Sequence, residues 1–295
     1  MEFTGDSNRI TRDYFDSILV ETRYIDSALP GTEMEMFGEK FTTPVMTAAL
    51  SHLHNVCENG MVEFARGAKE AGTVHFVGMG EDGELEAILD TGARTVKVIK
   101  PHEDNNVVFH KIEHAIAHGA FAVGMDIDHA YSGNGSYDNV MGLPMKSKSL
   151  AELKEFIAAA GSTPFVVKGV LSVQDAEKCV QAGAAGIIVS HHHGIMPFSV
   201  PPLMVLPKIR EAVGDRIKII VDCGIESGMD VYKALALGAD AVCVGRNLME
   251  PLKKGGKGVA ERICEINGEL MSIMARTGVH CLKDIDSSAL YFRGF

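Results

Sequence analysis

Four apolar runs in this chain stop at residues able to do chemistry. Phe165-Val166-Val167 stops at Lys168, and Gly186–Val189 stops at Ser190-His191-His192-His193-Gly194. Ile219-Ile220-Val221 stops at Asp222-Cys223-Gly224, and Ala241–Val244 stops at Gly245-Arg246. A lysine directly after a buried strand is partly desolvated. It suits a Schiff base, a bound phosphate or a developing anion, although a solvated strand end has the same letters. A general base needs one imidazole held in a cleft by a neighbour. Adjacent side chains diverge, so the triplet offers one working histidine of three. A Gly-Arg pair at a strand exit suits a phosphate, through main-chain N–H groups and a guanidinium. An ordinary turn with a surface arginine would read identically. Asp222 suits a polyol hydroxyl or the cap of the following helix. His52, His54, Asp126, Asp128 and His129 also follow strand-like runs and include metal-ligand types. Ligands from two strand ends could hold a metal in a barrel, but ligand geometry is not written in a sequence, and no resident metal is expected.

Positioning such groups together requires a particular scaffold. Apolar runs recur at Pro44–Ala49, Thr73–Val77, Thr95–Ile99, Phe121–Met125, Pro164–Val167, Gly186–Val189, Lys218–Val221 and Ala241–Val244. Between most of them lie helical periodicities, at Met61–Ala71, Val107–His118, Leu150–Ala160, Val173–Ala182, Leu203–Val213 and Met229–Leu237. Ala71-Gly72, Gly119-Ala120, Gly183-Ala184 and Gly238-Ala239 mark helix ends before re-entry. Eight strands alternating with helices predict an α/β fold, a single (β/α)8 TIM barrel over residues 44–295, with an open doubly wound sheet as the alternative. Residues 1–43 read as a short N-terminal arm, with a helix near Asp13–Leu19 and an extended stretch from Val20 to Phe41. In a barrel, all eight strand C-termini point at one mouth. Here that mouth collects Ala48-Ala49-Leu50-Ser51, Gly78, Lys100, Asp126, Lys168, the histidine triplet, Asp222 and Gly245-Arg246.

The 295 residues carry a net charge of −11, which argues against a general nucleic-acid surface. No apolar run reaches bilayer-spanning length, and the first residues lack a signal-peptide core. A cytoplasmic protein with a small-molecule substrate is expected. The six cysteines show no ligand spacing and read as reduced thiols in the core.

VVKGVLSVQDAEKCVQAGAAGIIVSHHHG, from Val166, and VDCGIESGMDVYKALALGADAVCVGR, from Val221, resemble the FMN-dependent 2-hydroxy-acid oxidase and dehydrogenase family. The resemblance is strong from Lys168 onward and thin before it. It implies FMN at the barrel mouth and a homo-oligomer, a tetramer or octamer. Lys168 matches the lysine beside flavin N1 and O2, and Ser190 a flavin-contacting serine. Asp222 matches the ribityl-binding aspartate, and Gly245 and Arg246 the phosphate site. Ala48, Ala49, Leu50, Ser51, Gly78, Lys97 and Gly224 complete the implied cofactor set. The separations from Lys168 to Ser190 and from Asp222 to Arg246 equal those of the family. The implied reaction takes a proton from a hydroxyl with a histidine while hydride passes to flavin N5. Ungapped spacing to Val200 makes that base His192, pairing by the His-Gly step makes it His193, and Asp126 is the orienting carboxylate.

The departures fall on the substrate side. The family's carboxylate-clamping arginine falls at Ile195 or Met196, and no second arginine stands near Ser132-Gly133. Glu226 replaces the arginine beside the phosphate. The family's substrate tyrosines are missing from the arm and near Ile99, and the loop after strand four is short. Glycolate or lactate is therefore a doubtful substrate, with Lys100 or His129 as stand-in cations. The alternatives are a flavin-dependent isomerase of the type 2 isopentenyl diphosphate kind, and a non-catalytic flavin-binding protein.

Overall fold

The computed structural model describes residues 5–294. Its centre is a ring of eight parallel strands: β1 (Val45–Thr47), β2 (His75–Val77), β3 (Thr95–Ile99), β4 (Ala122–Asp126), β5 (Phe165–Val170), β6 (Gly186–Val189), β7 (Lys218–Val221) and β8 (Ala241–Val244). Hydrogen-bonded order runs β1-β8-β7-β6-β5-β4-β3-β2. The ring closes where Leu50 bridges Val77 and Gly78 N donates to Leu50 O at 2.9 Å. All eight expected strands are present: β3, β6, β7 and β8 have the expected bounds, β1 and β2 are trimmed, β4 is shifted by one residue, and β5 starts one residue late and runs on to Val170.

The strands read as continuous apolar runs because both faces are buried. Val45, Val123, Val167, Ile187 and Ile219 pack outward against the helices. Met46, Phe76, Val98, Val166, Ile188, Ile220 and Cys243 fill the interior. Around the ring lie α1 (Ser7–Ser17), α2 (Gly60–Glu70), α3 (Asp82–Leu89), α4 (Asn105–Ala117), α5 (Leu150–Ala160), α6 (Val173–Ala182), α7 (Pro202–Val213), α8 (Gly228–Ala236) and α9 (Gly255–Arg276). Gly72, Gly119, Gly183 and Gly238 all take positive φ where a helix hands the chain back to a strand.

The arm does two jobs at opposite ends. An antiparallel hairpin, Met34–Met36 with Glu39–Phe41, sends Met36 and Phe41 into the barrel floor beside Phe121. Helix α1 lies at the other end, over the mouth. It starts earlier than expected because Asp6 caps it by accepting from Asn8 N. It stops at Ser17 rather than Leu19, because Ile18–Val20 pairs antiparallel with Leu290–Phe292. The thiols divide as well. Cys179 and Cys243 are buried, whereas Cys264 on α9 and Cys281 near the C-terminus are exposed, so a core reading holds for only some of them. None of the described helices is long and apolar enough to cross a membrane.

Candidate active site

Strand register builds the charged centre of the mouth. Lys168 on β5 is the direct cross-strand partner of Asp126 on β4, so their side chains leave the same face. Lys168 Nζ lies 3.4 Å from Asp126 Oδ1, and Lys100 Nζ lies 2.6 Å from Asp126 Oδ2. Burial raises the Asp126 carboxyl, but Lys168, His192 and Lys100 outweigh it and hold the group well below the usual carboxylate range. Burial likewise works against the Lys168 ammonium, yet Asp126, Asp128 and Asp222 overcome it and raise its pKa. Lys168 therefore stays charged at any physiological pH.

The histidine triplet separates as its spacing demands. His192, His193 and Gly194 all have positive φ, at 48°, 56° and 78°, a left-handed turn that sends successive side chains apart. His191 is buried, with Nε2 2.8 Å from Thr11 Oγ1 of α1 and Nδ1 accepting from Gly194 N at 2.9 Å. His193 is exposed and accepts from the Arg246 guanidinium. Only His192 turns inward. Its Nδ1 lies 2.8 Å from Asp128 Oδ1, 3.3 Å from Asp126 Oδ1 and 3.1 Å from Lys168 Nζ. Its backbone N donates to Ser190 Oγ at 3.0 Å. Burial opposes charge on the imidazole, but the bonds to Asp126 and Asp128 win, and its pKa is raised. With Nδ1–H donated to a carboxylate, Nε2 is left with its lone pair.

Asp128 is the residue that sequence reasoning missed as a histidine partner. It reaches His192 because β5 bulges at Gly169, whose φ is +90°; a Cβ there would lie 2.5 Å from Asp128 Cγ. The Lys-Gly pair at a strand end was the available signal. Burial and the neighbouring Asp126 charge raise the Asp128 pKa, and its Oδ2 is buried without a hydrogen-bond partner.

A cavity of about 300 Å³ opens beside this centre. Ala48, Ala49, Leu50, Lys168, His192, Asp222, Gly224, Gly245 and Arg246 line it, as expected, and His193 stands at its edge. Asn8, Thr11 and Arg12 of α1 form a wall that the sequence did not announce. Ser190 and Asp126 stand behind the lining and hold His192. Ser51 accepts from Met79 N at 2.7 Å at the β1–β2 seam, next to Gly78. Lys97 faces elsewhere. Its Nζ donates to Gly78 O at 2.5 Å, it borders a separate cavity of about 680 Å³, and burial lowers its pKa to about 8. Asp222 accepts from Cys223 N at 2.7 Å, while the helix after β7 is capped by Ser227 in a capping box with Asp230. Burial pushes the Cys223 thiol up to about 11, so it is a poor nucleophile. Glu226 is exposed, which lessens its repulsion toward a bound phosphate.

The profile of the FMN-dependent dehydrogenase family matches residues 3–163 and 146–292. The chain belongs to this family. It is 29% identical to a 2-hydroxyacid oxidase of Dictyostelium discoideum over 92% of this chain and 79% of the relative. Identity is also 29% to an L-lactate oxidase of Lactobacillus jensenii, over 96% and 77%. A mandelate oxidase variant crystallised with 2-hydroxy-phenylacetamide superposes with a TM-score of 0.90 at 26% identity, covering 99% of this chain and 92% of that one. Another mandelate oxidase structure, TM-score 0.89, contains an FMN adduct. This FMN-dependent dehydrogenase is thus a flavin enzyme of the group acting on CH–OH carbons. The donor set fits FMN: the Lys168 ammonium, the Arg246 guanidinium and the Asp222 carboxylate all line one cavity, and Gly245 adds a wall position without a side chain.

Proposed function

We propose that this FMN-dependent dehydrogenase oxidises the hydroxyl carbon of a 2-hydroxy acid with His192 as general base and Lys168 as the cation next to the cofactor. The reading is carried by one observation. His192 is the single histidine of three whose Nδ1 is held by two carboxylates, leaving Nε2 available for a proton. Bound FMN supplies the two-electron acceptor for the hydride leaving carbon. His192 takes the hydroxyl proton, and Asp126 and Asp128 stabilise the imidazolium that results. Lys168 offers positive charge where the reduced cofactor becomes negative. Lys168, Asp222, Gly245 and Arg246 are the residues that would hold FMN in this reading, and Ala48, Ala49 and Leu50 line the same cavity.

The carboxylate of the substrate needs a different grip from the family's arginine pair. Ile195 and Met196 are exposed apolar residues, and Lys100 is already committed to Asp126. His129 Nδ1 leans on Asp138 at 3.3 Å. Arg12 lines the cavity but is tied to Asp230 at 2.8 Å and to Asp16. A larger or differently charged hydroxy acid than lactate is therefore the expected substrate. Anaerobic bleaching of the bound flavin by a panel of 2-hydroxy acids, plain alcohols and prenyl diphosphates tests the whole reading. Bleaching by a hydroxy acid in wild type and not in His192→Ala supports it, and a flavin that no hydroxy acid reduces ends it.

A further inference from the structure

Outside the mouth, helices α3 and α4 face each other through an unusual set of side chains. Along α4 and its C-cap, His110, His114 and His118 recur at four-residue intervals, so all three share one face. Along α3, Asp82 and Glu86 recur at the same interval and look back at them. Asp82 Oδ2 lies 2.8 Å from His110 Nε2, and Lys111 approaches Asp82 at 3.5 Å. One turn further on, a single oxygen, Glu86 Oε1, lies 2.9 Å from His114 Nε2 and 3.7 Å from His118 Nε2.

Interhelical hydrogen bonding joins His110 to Asp82 and His114 to Glu86, but it leaves His118 Nε2 3.7 Å from Glu86 Oε1, too far for a hydrogen bond. His118 Nδ1 lies 2.8 Å from the carbonyl of His114, a bond in which the ring nitrogen must be the donor. In a neutral ring this leaves the Nε2 lone pair facing a carboxylate oxygen, and a cation bridges such a pair; at 3.7 Å the gap is long for a proton and suits a metal ion. His114 is mostly buried, and its Nδ1 has no hydrogen-bond partner, the nearest carboxylate oxygen being Asp82 Oδ1 at 4.0 Å. The two rings stand 4.3 Å apart between centroids. Tetrahedral bonds of about 2.0–2.1 Å place neighbouring ligand atoms about 3.3 Å apart, and the two Glu86 distances straddle that value.

We propose that Glu86, His114 and His118 form a divalent transition-metal site, best suited to zinc, which clamps α3 to α4. Two imidazoles at i, i+4 with one carboxylate favour zinc or nickel over calcium or magnesium, which prefer all-oxygen shells. The bond from His118 Nδ1 to a backbone carbonyl is the outer-shell contact that orients a ligating histidine. For His114 the nearest outer-shell carboxylate is Asp82, whose Oδ1 lies 4.0 Å from Nδ1 and makes no hydrogen bond to it. The site lies on the outside of the barrel, so it stabilises the helix pair and takes no part in the redox step.

Calorimetric titration of zinc chloride into untagged, chelator-treated, FMN-loaded protein tests this. One equivalent is expected to bind, with a zinc-dependent rise in melting temperature. Both signals should vanish in His118→Ala and in Glu86→Gln, which change exposed side chains and leave the fold intact. They should persist in His110→Ala and in His192→Asn, the latter because the Asp126–Asp128–His192 group at the mouth could also bind a cation. No zinc binding by wild type overturns the proposal. So does a full equivalent retained by both His118→Ala and Glu86→Gln.

Discussion

The two sides of the barrel mouth are assembled by different rules. From β5 to β8, each charged or hydrogen-bonding group sits on a strand or in the first turn after one. Lys168 is placed by its register with Asp126, and Asp222 and Arg246 by the ends of β7 and β8. From β2 to β4, groups that could meet a substrate sit in longer connections or are used internally. Lys97 binds Gly78 O, Lys100 neutralises Asp126, and residues 127–149 fold over the edge with a small hairpin, Asn139–Val140 with Leu143–Pro144. A strand end in a closed ring has little freedom, because moving it breaks two ladders. A loop can change its residues at small cost to the fold. On the function proposed above, the half that would hold the cofactor is the constrained one, and the half that would meet the substrate is the one with room to change.

The largest break in this comparison is His192→Ala. It belongs to the loop after β6 yet is held by two carboxylates from the β4 side, so it joins the halves. Stopped-flow flavin reduction should fall by about two to four decades, the usual contribution of a general base, with FMN still bound. His193→Ala should cost far less. His191→Ala should act mainly on stability, since its ring anchors α1 through Thr11. A dead His193→Ala beside an active His192→Ala would move the base to the next position.

Substrate choice sharpens the same contrast. Loss of a bidentate charged contact costs a few kcal/mol, and roughly 1.4 kcal/mol corresponds to a decade in rate. Reduction by lactate or glycolate should accordingly lag that of the best hydroxy acid by about two decades. Rapid lactate reduction would mean that Arg12 or another cation takes the clamp's place. In that event Arg12→Ala, Lys100→Ala and His129→Ala are the variants to compare.

Arg246→Ala probes the cofactor side alone. A hydrogen bond to a charged group contributes about 1.5–3 kcal/mol when buried. Arg246 is exposed, so solvent screening reduces this, and FMN affinity should fall only about fivefold to tenfold. Fluorescence of released flavin measures it. A thousandfold loss would indicate that the arginine closes over the phosphate when FMN binds.

How much of this was legible follows the same division. All eight strands could be read because doubly buried parallel strands leave continuous apolar runs, and the glycines before re-entry mark their spacing. Lys168, Asp222 and Gly245-Arg246 could be read because they end those runs. Lys97 is harder to place from its letters: a lysine inside a strand gives no hint of which cavity it borders, and here it borders the one beyond Gly78. Helix α1 was placed too late and its contact with the mouth was invisible, since Thr11–His191 joins residues 180 positions apart. In the sequence Asp128 reads as a metal-ligand type at a strand exit, not as a histidine partner. Its role depends on the β5 bulge at Gly169, and a bulge depends on pairing that no single strand's sequence records.

Asp128→Asn gives the smallest expected effect and the most specific one. Asp126 and Asp128 both face His192 Nδ1, but their neighbours differ. Asp126 is shared among two lysines and the imidazole, whereas Asp128 turns Oδ1 to His192 and leaves Oδ2 without a partner. Asparagine keeps the size and can still accept from Nδ1–H, so orientation survives and the charge is lost. The His192 pKa, raised in wild type by both carboxylates, should then fall. A base works in its unprotonated form, so wild-type kcat/KM is lost as pH falls through that raised pKa. In Asp128→Asn this acid limb should move to lower pH. The high-pH plateau should drop by less than about tenfold, since Asp126 still stabilises the imidazolium. A merely structural Asp128 would lower the plateau without moving the limb. Gly169→Ala should reproduce the shift, because its Cβ would displace the Asp128 carboxylate from His192 while leaving both charges in the chain.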